Sequence, residues 1–306
     1  LYKETRETAD GVSPHRAKLE QILKQIQDML EIAQQNVPDR SRIIGIGMGI
    51  PGYVDSEKGY SYGYSRIPGW KDIMIRDLVQ ESTGIPCYIQ NNVSVMTLAY
   101  KWLNYNGNSN DFVFLSIRTG IRMVTISNNR LVTGKGGFAG EIGHIRISNG
   151  GRICSCGRYG CLNSEISDPS LLNIIKEGFQ VHHYQRIYEL AGENEDNVKI
   201  EHYVQAVLEG DEESVKLMKV VAGTLGRALA LVVNILAPSE VVLSGKQFEI
   251  GEVFLDEIRN AVKEEVIAQN FRNLRIKKSE FGGEIGAIGA ACMVMEEYFS
   301  YQDMEV

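Results

Sequence analysis

From Ala17 onward, Leu19, Ile22, Leu23, Ile26, Met29, Leu30 and Ala33 recur at the spacing of a helix with one apolar stripe. The pattern then changes. RIIGIGMGIPGYVD (42–55) is almost continuously apolar before it breaks into glycine and proline, which predicts a buried strand running into a loop. IRDLVQEST (75–83) returns to helical spacing and stops at Gly84; PCYIQNN then reads as a strand and VSVMTLAYKWL (93–103) as an amphipathic helix. FVFLSIR (112–118) and MVTISNN (123–129) are two strands joined by a short glycine turn, and helical patterns dominate from Pro169 to Ala237. SEVVLSG (239–245) is a strand, FLDEIRNAVKEEVIAQ (254–269) a helix, LRIKKSEFG (274–282) a strand and GAIGAACMVMEEYF (286–299) a closing helix.

Strands alternating with helices in two halves predict an α/β protein of two sheet-centred domains, with a ligand cleft between them. The polar run NYNGNSND (104–111) marks the boundary, giving lobes over 1–108 and 109–285. The chain opens LYKETRETADG, without methionine and as if in mid-strand, which predicts that the first strands of the N-terminal lobe are missing.

Composition narrows the function. Hydrophobic residues make up 43% and charged residues 23%, as in ordinary globular proteins. No apolar run reaches the ~20 residues of a membrane span, the longest being ALALVVNILA (228–237), and no secretory signal opens the chain. The expected setting is cytoplasmic, with no membrane partner. Net charge is −7 and no basic block appears, so these residues are not a phosphate-binding DNA surface.

Three of the five cysteines, Cys154, Cys156 and Cys161, fall within eight positions as C-x-C-x4-C, ten residues after His144. In a reducing compartment such a cluster reads as metal ligands rather than disulfides. Three thiolates and an imidazole close a tetrahedral zinc shell with no open position, predicting a structural zinc knuckle over 144–161. Cys87 and Cys292 sit in apolar contexts and are expected in the core. GIGMG (45–49) imitates a dinucleotide loop, but Pro51 follows where a helix should begin.

AGEIGH (139–144) followed by CSCGRYGCL (154–162) resembles the ROK family of repressors and sugar kinases. GIGMGIPGYVD (45–55), IPGW (67–70), NNVSVMTLA (91–99) and GAIGAA (286–291) match in order, so the resemblance covers essentially the whole chain. It implies a two-lobed, actin-like fold of the sugar kinase, hexokinase and Hsp70 superfamily, carrying the zinc-binding loop, with the segment 286–306 returning to complete the N-terminal lobe. It also implies sugar contacts at Asn91, Asn92, Glu141, His144 and Asn163.

The departures from the family pattern concern catalysis. Family kinases carry an aspartate base where this chain has Asn92, and an amide cannot accept the proton of an attacking hydroxyl near neutral pH. The family's glycine-rich phosphate loop is Arg118-Thr119-Gly120-Ile121-Arg122 here, and arginine neither adopts positive φ cheaply nor lets a backbone N–H approach phosphate closely. The two arginines are expected to be solvated surface charge rather than a rebuilt anion site. The Gly-Gly pair of the family's nucleotide pocket is replaced in Ser244-Gly245-Lys246-Gln247, and a sugar-contacting glutamate by Asn163.

The resemblance therefore implies a non-enzymatic module of a transcriptional repressor. That module would bind a sugar or sugar phosphate, dimerise as a homodimer or dimer of dimers, and reach DNA only through a missing N-terminal helix-turn-helix. An ATP-dependent sugar kinase and a non-catalytic structural partner are the alternatives.

Overall fold

A computed structural model describes residues 15–36, 43–64, 67, 69–104, 110–281 and 285–302. The opening LYKETRETADG, residues 105–109 of the polar run and the end of the strand expected over 274–282 lie outside the described residues. The chain divides into two compact units, Leu1–Tyr105 with Thr133–Ala139 and Phe281–Val306, and Asn106–Val132 with Gly140–Glu280. The segment Thr133–Ala139 thus belongs to the first unit, although the polar run had placed everything from 109 to 285 in the second lobe.

In the first unit, helix α1 (His15–Asn36) lays Leu19, Ile22, Leu23 and Ile26 on a core that includes Ile50, Val54, Ile75 and Val79. The expected strand is β1 (Ile46–Ile50), and the stretch expected as a loop after it carries a second, β2 (Tyr53–Asp55). They part at Gly52, which holds φ 85° against β3 (Tyr60–Gly63), where a Cβ would lie 2.2 Å from the Gly63 carbonyl oxygen. Strands β2, β3 and β4 (Lys71–Ile73) form an antiparallel ribbon. The hydropathy pattern does not announce β3 or β4 because YSYG and KDI carry no apolar stripe, and on the buried side the Trp70 indole N–H donates to Ser61 Oγ at 3.0 Å.

Helix α2 (Ile75–Thr83) ends where Gly84 turns left-handed and donates its N–H to Gln80 O. The chain then enters β5 (Cys87–Asn91), parallel to β1, and α3 (Asn92–Leu103).

The second unit is built on a five-stranded sheet. Strands β6 (Phe112–Ile117), β7 (Ile121–Ser127) and β8 (Arg130–Val132) form an antiparallel meander. Helices α4 (Leu162–Ile166), α5 (Asp168–Phe179), α6 (Gln185–Leu190), α7 (Ile200–Leu208) and α8 (Glu212–Leu236) follow. The sheet resumes with β9 (Glu240–Ser244), runs on through α9 (Glu252–Glu265) and α10 (Ala268–Phe271), and closes with β10 (Arg275–Lys278). Strand order is β10-β9-β6-β7-β8, with β10, β9 and β6 parallel. Every residue of β6 and β9 is buried, as expected of strands covered on both faces. Glu240 is 2% exposed on β9 and meets Arg275 and Lys277 of the neighbouring strand at 3.3 and 3.4 Å. Helix α8 is capped by the Asp211 carboxylate, which accepts from Ser214 N–H at 2.9 Å. It is long and apolar enough to cross a bilayer, but its apolar side is the core of this unit.

The last helix, α11 (Ile285–Gln302), returns to the first unit and packs on β1 and α3. Small residues make that approach: a Cβ on Gly289 would fall 1.8 Å from Val95 O. Lys101 and the Trp102 indole both reach Glu296, at 2.7 and 2.9 Å.

Candidate functional site

The sequence between His144 and Cys161 folds back on itself as a knuckle. Gly160 N–H donates to Arg152 O, Cys154 N–H to Arg158 O and Gly157 N–H to Cys154 O, at 3.0, 2.7 and 2.8 Å. Gly157 and Gly160 hold φ 82° and 72°, and a Cβ on Gly160 would fall 2.1 Å from Ser148 O. The result gathers one donor atom each from His144, Cys154, Cys156 and Cys161 within 4.8 Å of one another. His144 Nδ1 stands 3.6 Å from Cys154 Sγ, and Cys156 Sγ stands 3.6 Å from Cys161 Sγ. A tetrahedral ion with metal–sulfur bonds of about 2.3 Å and metal–nitrogen bonds of about 2.05 Å needs ligand separations of about 3.8 and 3.6 Å, respectively. Those two pairs match such separations, so the four donor atoms form a group that could hold a metal ion, with His144 Nδ1 turned toward Cys154 Sγ.

The thiols are not equivalent. The Arg158 guanidinium beside Cys156 holds its thiol down at about 6, whereas burial pushes Cys161 up to about 12. Glu165, which sequence reasoning missed, supports the loop by accepting from Ser148 Oγ at 3.0 Å and Arg152 N–H at 3.1 Å. Its position one helical turn past Cys161 was the available signal.

Three residues before His144, Glu141 faces two partners. Its Oε1 accepts from Arg122 Nη1, and its Oε2 lies 4.0 Å from His144 Nε2. Arg122 is not solvated surface charge: its side chain is 14% exposed and turned onto Glu141. The expectation failed because β7 carries Arg122 alongside the 140–144 turn, where Met123 N–H also donates to Gly140 O at 2.9 Å. Arg118, by contrast, is exposed. Asn163 is half-buried and has an internal role that the sequence did not indicate, its Oδ1 accepting from Ile121 N–H at 2.6 Å and packing against Gly143.

In the first unit the adjacent asparagines differ. Asn91 is 3% exposed and caps α3, its Oδ1 accepting from Val93 N–H at 2.9 Å while its Nδ2 donates to Gly52 O at 2.8 Å. Both ends of that amide thus hold the protein's own backbone. Asn92, at the first position of α3, is half-buried and its side chain has no hydrogen bond among the described residues.

After β9, Gln247 is fully buried and donates Nε2 to Ile166 O at 3.0 Å and to Asp168 Oδ1 at 2.9 Å. Burial pushes the Asp168 carboxyl above the usual carboxylate range. Cys87 is in the core, and burial pushes its thiol up to about 12. Cys292 is only half-buried.

Known proteins are similar to this chain along most of its length. The xylose repressor of Caldicellulosiruptor bescii is 30% identical over 285 residues, covering 93% of this chain and 71% of that protein. A glucokinase of Thermotoga maritima is 27% identical over 251 residues, covering 82% of this chain and 79% of the kinase. A crystal structure of a ROK family transcriptional regulator, a homolog of the E. coli MLC protein, superposes with a TM-score of 0.81 at 24% identity, over 90% of this chain and 68% of that one. Residues 3–297 match the ROK family, and the chain belongs to it.

Proposed function

We propose that this chain is the effector-sensing and dimerisation part of a ROK-type transcriptional repressor, binding a sugar or sugar phosphate without phosphorylating it. The observation that carries the reading is Asn92. It sits at the start of α3 with an uncommitted amide, at the position where the family's kinases place their base. An amide donates to and accepts from a hydroxyl but takes no proton from it. Arg122 adds to this, since a phosphate-loop position is filled by a side chain engaged with Glu141. Xylose repressors among the relatives support a sugar effector and a DNA-linked role. DNA is contacted in this reading by a separate helix-turn-helix part.

Hydroxyl recognition is assigned to Asn92 in the first unit and to Glu141 and His144 in the second, with Asn91 and Asn163 as positioning residues. The metal held by His144, Cys154, Cys156 and Cys161 is zinc, because three thiolates and one imidazole in a tetrahedral group select it and leave no open position for catalysis. Bound, it fixes the imidazole plane so that Nε2 stays presented beside Glu141.

A thermal-melt panel of pentoses, hexoses, amino sugars, their phosphates and ATP–magnesium tests the reading. A ligand at 100 times its dissociation constant adds about 2.7 kcal/mol. Stabilisation by a sugar and none by nucleotide supports a sensor. Stabilisation by nucleotide, with ADP released in the presence of sugar, would instead support a sugar kinase, the activity named for the Thermotoga maritima relative.

A further inference from the structure

On one side of the β2–β3 ribbon, four aromatic rings form a continuous run. Centroids are 5.4 Å apart from Tyr53 to Phe138, 5.3 Å from Phe138 to Tyr62 and 4.9 Å from Tyr62 to Tyr60. The opposite side of the ribbon is core, with Val54 at 2%, Ser61 at 0% and Trp70 at 7% exposure, while Tyr53 and Phe138 are 37% and 46% exposed. Phe138 comes from a different stretch of chain, and the packing that brings it there is tight. Gly137 holds φ 78° with room for no side chain, since a Cβ would lie 2.1 Å from Val54 O. A Cβ on Gly136 would lie 3.1 Å from the Phe138 ring.

Polar groups border these rings and are themselves held in place. The Tyr62 hydroxyl donates to Asp55 Oδ2 at 3.3 Å, and Asp55 also accepts from Lys58 N–H at 3.1 Å and pairs with Lys58 Nζ at 3.3 Å. The Tyr60 hydroxyl donates to Asp72 at 2.8 Å. Two exposed rings, Tyr53 and Phe138, continued by the half-buried Tyr62 and edged by fixed polar groups, match a pyranose, whose C–H faces are weakly positive and whose edges carry hydroxyls. The π face supplies the complementary negative quadrupole and the border supplies hydrogen-bond partners. A protein partner would call for a broader apolar centre. Within the first unit the platform also adjoins the proposed sensing residues: Tyr53 follows Gly52, whose carbonyl oxygen accepts from Asn91, the residue before Asn92.

We propose that Tyr53, Phe138 and Tyr62 form a stacking subsite for a second sugar ring, so that the effector is a glycoside or oligosaccharide longer than one residue. This rests on the sugar-sensing reading above. The test measures, by calorimetric titration of the purified chain, matched pairs of probes: xylose and xylobiose, glucose and cellobiose, N-acetylglucosamine and its β-linked dimer.

The expected result is one dimer binding about tenfold more tightly than its monomer, with Phe138→Ala erasing the difference and leaving monomer affinity within about twofold. Phe138→Tyr, which keeps the ring, should retain the preference and shows that the fold tolerates change at this exposed position. Monomer binding with no dimer preference, or a preference that survives Phe138→Ala, overturns the subsite and leaves the sensing reading intact. Loss of self-association in Phe138→Ala with unchanged saccharide preference also overturns it, since the rings would then face a second copy. No binding of any saccharide overturns both.

Discussion

Arg122 and His144 share one carboxylate: Glu141 accepts from Arg122 Nη1 through Oε1 and presents Oε2 4.0 Å from His144 Nε2. A single half-buried glutamate, bonded to a strand of the sheet, thereby stands beside His144. Removing the guanidinium would leave that carboxylate without its main counter-charge.

Arg122→Ala is accordingly expected to lower the unfolding free energy by about 1–3 kcal/mol, the range for stranding a partly buried charged hydrogen-bond partner. Arg122→Lys should recover only part, because a single ammonium does not reproduce the planar guanidinium. Urea unfolding of the three proteins measures this. An unchanged midpoint in Arg122→Ala would show that the pair is solvated in effect.

Restoring a carboxylate at the head of α3 tests the other half of the reading. In the proposed reading Asn92→Asp supplies a base at the first position of α3, while Arg122, engaged with Glu141, still stands in for a phosphate-loop glycine. A coupled ADP-release assay with sugar and ATP–magnesium should therefore show no rate above background, while sugar-induced stabilisation persists. Turnover in this single variant would mean that Arg118 and Arg122 do not obstruct the phosphates.

The metal group makes an ordered prediction about thiol chemistry. Purified protein should carry about one zinc per chain. After chelation, iodoacetamide at pH 7.5 should modify Cys156 first, because it is exposed and Arg158 keeps its thiol near 6, and the thiolate is the reacting form. Cys161 and Cys87 are buried with thiols pushed up to about 12 and should resist. Mass spectrometry of the digest reads the order, and the metal-loaded protein should protect all three knuckle cysteines. Early modification of Cys161 would mean that the knuckle opens without metal.

How far the sequence carried the interpretation follows from which interactions are local. The helices IRDLVQEST and VSVMTLAYKWL and the strands around 112, 123 and 240 were legible because each buries a regular face. The knuckle was legible because ligand spacing is itself the signal. Strands β3 and β4 were not, since tyrosine, serine and glycine pack there through ring contacts and a Trp70–Ser61 hydrogen bond instead of an apolar stripe. Arg122 was misjudged for a related reason. Its partner is 19 residues away, across a turn that only the folded sheet brings alongside.

Two aspartates of opposite character give the last prediction. Asp55 is 4% exposed, and the Lys58 backbone N–H, aided by its ammonium and the Tyr62 hydroxyl, holds its carboxyl below the usual range. Its contribution is present above the unfolded pKa of about 3.9 and is lost as pH falls through the lower folded value. Asp168 runs the other way: burial beside Gln247 raises it, so its contribution is full below about 3.9 and is lost as pH rises through the higher folded value. Asp55→Asn should therefore destabilise at pH 7, by an amount that shrinks toward pH 3. Asp168→Asn, which can still accept from Gln247, should stabilise at pH 7, by an amount that also shrinks on acidification. Urea midpoints of both variants and the parent at pH 7, 5 and 3 decide it. Changes of the same sign at pH 7 would show that the hydrogen-bonded backbone at Asp55 and the apolar burial at Asp168 do not set these carboxyls apart.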